Sequence, residues 1–400
     1  MLQTIQMRTR MHKISALVCT VLCIIMLSIY TQLPLQYIDN LPNSVSISYD
    51  DVGSLHYKNL TFDYDLYQHA GINCTPSGTI DVKAFGWFTL KRMKAKVEPN
   101  RKVFQGGQPI GLTLNSNGVI VTNSGNIKTK EGMKGSEVLK KGDIIKKIND
   151  TPILNPKSIA EFFKDNKCEE IEITVERNGK LVKFKTSPIY DSVNNEYKLG
   201  AWVKDKIAGL GTISYVRLDN RFGALGHPVI DNDTNLVFPV YDGKVYNAKV
   251  VGVEKGQSGK AGALKGVFNA SDGKIGTVQS NNKYGIFGTL SSQFEDKIMP
   301  VGSRLNIKPG KAKIISTVND KLDEYEIEIV KTHSQKKKSD KSMVVKVTDP
   351  RLLETTGGIV QGMSGSPIIQ DDKVIGAITH VFVNDPTRGY GIYLDWMYDN

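Results

Sequence analysis

The chain has 400 residues, 40% hydrophobic and 23% charged, which is ordinary globular composition with room for two or three domains. Its formal net charge of +11 favours anionic partners, yet no basic run is interleaved with aromatics or matches a nucleic-acid module. Nucleic-acid binding is therefore set aside for lysine-rich solubility with attraction to anionic lipid, and the run Lys336–Lys338 reads as a solvated loop. The four cysteines, Cys19, Cys23, Cys74 and Cys168, form no CxxC pair, so neither metal nor cofactor is expected.

Residues 1–13 carry Arg8, Arg10 and Lys13, and Ile14 to Tyr30 contains no charge. A stretch of that length is at the short end of a spanning helix, and the preceding cations place the N-terminus inside the cell. An uncleaved signal anchor within 1–31 is the reading here, with a cleaved signal peptide as its rival. No small-x-small pattern follows, since the chain runs on as Thr31-Gln32-Leu33-Pro34. The body is then extracytoplasmic and membrane-held. Residues 32–94 read as a linker with short strands, and His56 and His69 have no partner pattern.

Residues 95–190 carry short strands, a helix near Ser158–Phe163 and an Asn178-Gly179 hairpin turn. The order resembles a PDZ domain, carried by Pro109-Ile110-Gly111-Leu112 and by Gly142-Asp143-Ile144-Ile145 running to Ile148-Asn149. That resemblance implies a peptide added as an edge strand, with the 109–112 loop holding a terminal carboxylate. From about residue 195 to 400, many short strands with Gly-rich turns argue a barrel or sandwich.

The chemistry-bearing stretch is Gly362-Met363-Ser364-Gly365-Ser366-Pro367. Glycines on both sides of a serine leave its hydroxyl unobstructed and let backbone N–H groups converge on one spot. His227, in Gly223-Ala224-Leu225-Gly226-His227-Pro228, is the histidine candidate. His380, in a strand-like run, reads rather as a core histidine. For the orienting acid, Asp349 lies 15 positions before Ser364, and Asp231 and Asp233 are rivals; spacing does not choose among them. Gly256–Lys260 fails as a phosphate loop and Gly-x-Ser-x-Gly fails as a hydrolase elbow.

Taken together, these stretches resemble the stage IV sporulation protein B family of endospore-forming bacteria, PDZ-containing serine peptidases. The longest matches are Gly357 to Pro367 and Thr379 to Thr387, with Val347-Thr348-Asp349-Pro350 between the strands before them. The resemblance implies a mainly β protein, a PDZ-like domain followed by a chymotrypsin-like β-barrel peptidase domain. It implies a triad of His227, Asp349 and Ser364, with the N–H groups of Gly362 and Ser364 as the oxyanion hole. It also implies secretion from the forespore, self-cleavage, and cleavage of a membrane-bound regulator whose loss triggers sigma factor precursor processing. Pro228 departs from the valine common in the family. Met363 cannot form the ion pair that activates trypsin-like zymogens, so control through the PDZ-like domain is expected instead. A non-catalytic PDZ scaffold is the alternative.

Overall fold

The computed structural model describes residues 16–21, 23–24, 38, 41–53, 55, 60–67, 76–166, 169–333 and 336–400. Most of the apolar segment 14–30, as well as His12, His56, His69, Cys74 and Cys168, lies outside them. No helix among the described residues is long and apolar enough to cross a membrane. The chain divides into two compact units, residues 1–101 with 333–337 and residues 102–332 with 338–400.

The first unit holds a four-stranded sheet where the sequence suggested a linker with short strands. Strands β1 (Ser44–Ser48), β2 (Leu60–Tyr67), β3 (Ser77–Ala84) and β4 (Phe88–Glu98) lie in the order β1-β4-β3-β2. The alternation in β3 and β4 buries Ile80, Val82, Met93, Ala95 and Val97 on one face and leaves Arg92, Lys94 and Lys96 on the other. β1 is parallel to β4, from Ser44 beside Lys94 to Ser48 beside Glu98.

The second unit contains two barrels. After β5 (Lys102–Gln105), the first uses β6 (Pro109–Ser124), β10 (Ala201–Arg217), β11 (Arg221–Ala224), β12 (Asp242–Asn247), β13 (Gly276–Asn282) and β14 (Gly285–Leu290). Their pairings run β6-β12-β13-β14-β11-β10 and return to β6, so six strands close on themselves. Inward-facing Ile110, Leu112, Leu114, Ile213, Phe222, Val245 and Ile286 fill the interior. A short edge strand, β15 (Ile298–Pro300), pairs β5.

The second barrel is closed by β16 (Gly310–Val318), β17 (Lys321–Thr332), β18 (Met343–Val347), β19 (Pro367–Gln370), β20 (Lys373–Phe382) and β21 (Asp385–Tyr393). Its core holds Ile314, Ile327, Val345, Ile368, Ala377 and Ile392, all at most 2% exposed.

A third hydrophobic cluster fills a small module between β6 and β10. It contains β7 (Ile144–Ile148), helix α1 (Pro156–Asp165), β8 (Ile171–Arg177) and β9 (Lys180–Thr186). Asn155 caps α1 by accepting from Ser158 N at 3.1 Å, and proline opens its first turn. Asn178 and Gly179 take φ of 53° and 74°, as the hairpin between β8 and β9 requires.

The division into domains at 95–190 and 195–400 therefore needs revision. The first barrel starts at Pro109, before the module, because β6 and β10 are 16- and 17-residue strands that run through both. Pro109–Leu112 is likewise not a carboxylate-binding loop. It is an inner barrel strand, paired to Gly209–Thr212 on one side and Val245–Asn247 on the other, with Ile110 and Leu112 buried. Strand pairing on both edges leaves no row of N–H groups there for a peptide. Gly111 is needed for packing: a Cβ on it would sit 2.1 Å from the Phe268 ring.

Candidate active site

The Ser364 loop crosses from α2 (Pro350–Thr356) to β19, and its conformation is one that only glycines permit. Gly357, Gly358, Gly362 and Gly365 take φ of 75°, 136°, 94° and 100°. A Cβ on Gly365 would lie 2.1 Å from Thr212 O, so this residue lets the loop press against the first barrel. Thr212 fastens that contact: its hydroxyl donates to Gly362 O at 2.7 Å and its N–H to Ser364 O at 3.2 Å.

Within the loop the N–H groups alternate in their use. Met363 N donates to Val360 O, Gly365 N to Ile378 O and Ser366 N to Met363 O. Among the described residues, no acceptor meets the N–H of Gly362 or Ser364. Met363 is fully buried and Ser364 half-buried, with Ser364 Oγ donating to Thr379 O at 2.7 Å.

His227 arrives from the first barrel on two successive left-handed residues, Leu225 (φ 69°) and Gly226 (φ 71°). A Cβ on Gly226 would meet Thr379 Cγ2 at 2.8 Å, so the two loops converge at Thr379. The His227 ring stacks on His380, with centroids 4.7 Å apart and planes at 29°. His380 Nε2 lies 3.0 Å from Asp340 Oδ2, and the Thr379 hydroxyl donates to Asp340 O at 2.9 Å. His227 Nδ1 is 2.9 Å from Pro228 O. A carbonyl only accepts, so Nδ1 carries the proton and Nε2 keeps its lone pair. Burial pushes the His227 pKa down to about 4; the Pro228 carbonyl and Asp340 oppose this, and His380 adds to it.

Asp349 lies elsewhere. It caps α2, accepting from Arg351 N at 2.9 Å, and its carboxylate also takes the Arg351 guanidinium at 2.9 Å and Glu326 N at 3.2 Å. The Arg351 guanidinium is the main reason its pKa is held down to about 2. No hydrogen bond joins Asp349 to His227 among the described residues. Asp349 follows the end of β18 and Asp340 precedes its start, and a five-residue strand spans about 16 Å. Asp231 is occupied by Thr234 and Lys204, and Asp233 by Lys204. The structure thus gathers Ser364, His227, His380 and Asp340 and leaves Asp349 apart. His380, which the sequence suggested as a core residue, is half-exposed beside the Ser364 loop. Asp340 carried no sequence signal, being an ordinary loop aspartate next to Lys341.

A single family model supplies the identification: that of the SpoIVB peptidase S55 family matches residues 195–398, half the chain. The chain belongs to that family. It is a serine peptidase of mainly β structure, with barrels of the kind chymotrypsin-like peptidases use. Among solved structures, the active form of the Rv3671c protease from M. tuberculosis aligns at 13% identity and a TM-score of 0.29, over 49% of this chain and 72% of that one. Its inactive form aligns at 13% identity and 0.27, over 48% and 82%. No curated protein matches.

Proposed function

We propose that this S55-family peptidase is a membrane-held, extracytoplasmic endopeptidase that uses Ser364 as nucleophile and His227 as general base. The observation that carries the reading is the convergence of the Ser364 and His227 loops at Thr379, with the Gly362 and Ser364 N–H groups meeting no acceptor among the described residues. Rotation of the Ser364 side chain breaks its bond to Thr379 O, a loss of about 1 kcal/mol for a neutral hydrogen bond, and turns Oγ toward the imidazole. His227 Nε2 takes the hydroxyl proton as Oγ attacks the scissile carbonyl, then returns it to the leaving amine. The two N–H groups receive the oxyanion.

The tautomer of His227, usually fixed by a carboxylate, is fixed in this reading by the Pro228 carbonyl. That role belongs to the backbone, so it survives the change of side chain from valine. Asp340 contributes charge through His380, while Asp349 supports the site by capping the helix that leads into the nucleophile loop.

The PDZ-like reading moves to a new address within the inserted module. A groove of about 1050 Å³ lies between α1 and the start of β10, lined by Ile159, Phe163, Leu199, Gly200, Ala201 and Val203. Ala201–Val203 pairs with β6 along one edge and, among the described residues, with no strand along the other. An extended peptide C-terminus or a segment of the chain itself fits that edge as an added strand. By resemblance to the family, the substrate is a membrane-bound regulator in sporulation signalling, met in the space between the forespore membranes, and self-cleavage accompanies the activity.

Labelling with a fluorophosphonate tests the nucleophile. The full chain is expected to label and to shorten itself with time, and Ser364→Ala to do neither. Labelling that persists in Ser364→Ala overturns the assignment.

A further inference from the structure

The turn between β3 and β4 is aromatic where a hairpin turn is ordinarily polar. Phe85, Trp87 and Phe88 are 54%, 75% and 52% exposed, and Trp87 packs edge-on against Phe88 with centroids 6.1 Å apart. Phe85 is held at φ 53°, a left-handed conformation that a bulky side chain adopts only under constraint, and Gly86 follows at 78°. Three rings at one tip, one of them in a conformation suited to Asn or Gly, go beyond the scattered apolar residues found on every surface.

The chain enters this sheet at the same end. Lys91 Nζ donates to Leu41 O at 2.6 Å and Lys94 N to Asn43 O at 2.9 Å, after which β1 runs parallel to β4 and away from the tip. Leu41 therefore lies three residues along β4 from Phe88. Residues 31–40 separate it from the uncharged segment ending at Tyr30, and ten residues reach at most roughly 35 Å. The strand that leaves the rings, β4, is basic, with Lys91, Arg92, Lys94 and Lys96 against Glu98, while β3 balances Lys83 with Asp81 and β2 carries Asp63, paired with Lys83, and Asp65. Asp81 offsets Arg92, at 2.6 Å, and Glu98 offsets Lys96, at 3.3 Å, while Lys94 pairs with no carboxylate among the described residues. Aromatic rings backed by cations suit the headgroup region of an anionic bilayer, where indole and phenyl groups sit at the water boundary and lysines meet lipid phosphates.

We propose that the Phe85–Phe88 tip seats in the headgroup region of the same bilayer that residues 14–30 span, a second membrane contact that holds the N-terminal sheet against the lipid. The choice of bilayer rests on the spanning reading of 14–30.

The full chain, reconstituted into phosphatidylcholine–phosphatidylglycerol vesicles with brominated acyl chains, tests both separately. Bromine quenches only indoles at the lipid, and the three tryptophans are Trp87, the exposed Trp202 and the buried Trp396. The expected result is quenching that disappears in Trp87→Phe, persists in Trp202→Phe, and weakens in Phe85→Ser/Phe88→Ser, with cleavage of a soluble peptide unchanged in Trp87→Phe and in Phe85→Ser/Phe88→Ser. A chain that floats with the vesicles after a high-salt wash but shows no Trp87 quenching overturns the tip contact and leaves the span intact. Failure to float overturns both. A Trp87 emission shift that follows protein concentration instead of bromine overturns it in favour of contact between copies of this chain.

Discussion

Asp340 and Asp349 stand at opposite ends of one strand, and their environments set different roles. Asp349 is committed to the N-terminus of α2 and to Arg351. Asn can keep the cap, so Asp349→Asn should leave kcat within about tenfold, whereas Asp349→Ala should lower stability by about 1–2 kcal/mol through loss of the cap. A carboxylate that orients the catalytic imidazole costs about 10⁴-fold in kcat when made an amide. Steady-state kinetics on Asp349→Asn therefore separate the two roles, and a loss of that size would restore Asp349 to the triad. Asp340→Asn should instead lower kcat on the order of 10²-fold by loosening the stacked pair, with little change in melting temperature. His227 makes a further prediction. Its pKa near 4 leaves it neutral down to mildly acidic pH, so the acid limb of kcat/KM should fall near pH 4 to 5, and a limb at pH 6.5 to 7 would contradict the burial seen here. Stability follows the same groups. Between about 4 and 6.5 the unfolded chain binds a proton at His227 that the folded chain does not, so stability falls as pH drops through that window. Asp349 adds a second loss from 3.8 down to about 2.

At the scale of elements, the Ser364 loop and the His227 loop are built from glycines whose necessity is geometric. Gly226→Ala would force a Cβ onto Thr379 Cγ2 at 2.8 Å and hold alanine at φ 71°. A strained conformation of that kind costs of order 1–3 kcal/mol. The variant should show a lower melting temperature and, if the proposed roles of Ser364 and His227 hold, a larger proportional loss of activity, since relief of the clash moves Thr379 and with it both loops. These loops were legible in the sequence, because Gly-Ala-Leu-Gly-His and Gly-Met-Ser-Gly-Ser-Pro are short patterns whose chemistry is local. The stretch 109–112 was misread for an equally physical reason. A Pro-x-Gly run between apolar residues has the same composition in a loop and in a barrel strand where glycine admits a ring, and only the partners on either side distinguish them.

At the scale of the molecule, the inserted module changes how regulation can be tested. Deleting 95–190 would remove β6 and open the first barrel, so lost activity in that deletion would not report on control. Asn115 and Lys206 are paired, and an Asn-Gly turn joining them closes the hairpin that remains. The chain lacking 116–205 should keep a cooperative unfolding transition and fluorophosphonate labelling at Ser364, while losing any dependence on a peptide bound in the groove; loss of labelling in a folded product would place the module inside the catalytic machinery. By itself the sequence determined the strand-rich class, the Ser364 and His227 loops and the family, because each is written in contiguous residues. The tertiary structure decided which barrel owns residues 109–115, which aspartate approaches the histidines, and that His380 lies beside the Ser364 loop. Those depend on strand pairing and register across about 100 to 250 residues of chain, where the sequence carries no local mark of which partner will be met. For Ser364 the sequence named a candidate, and the fold chose its neighbours.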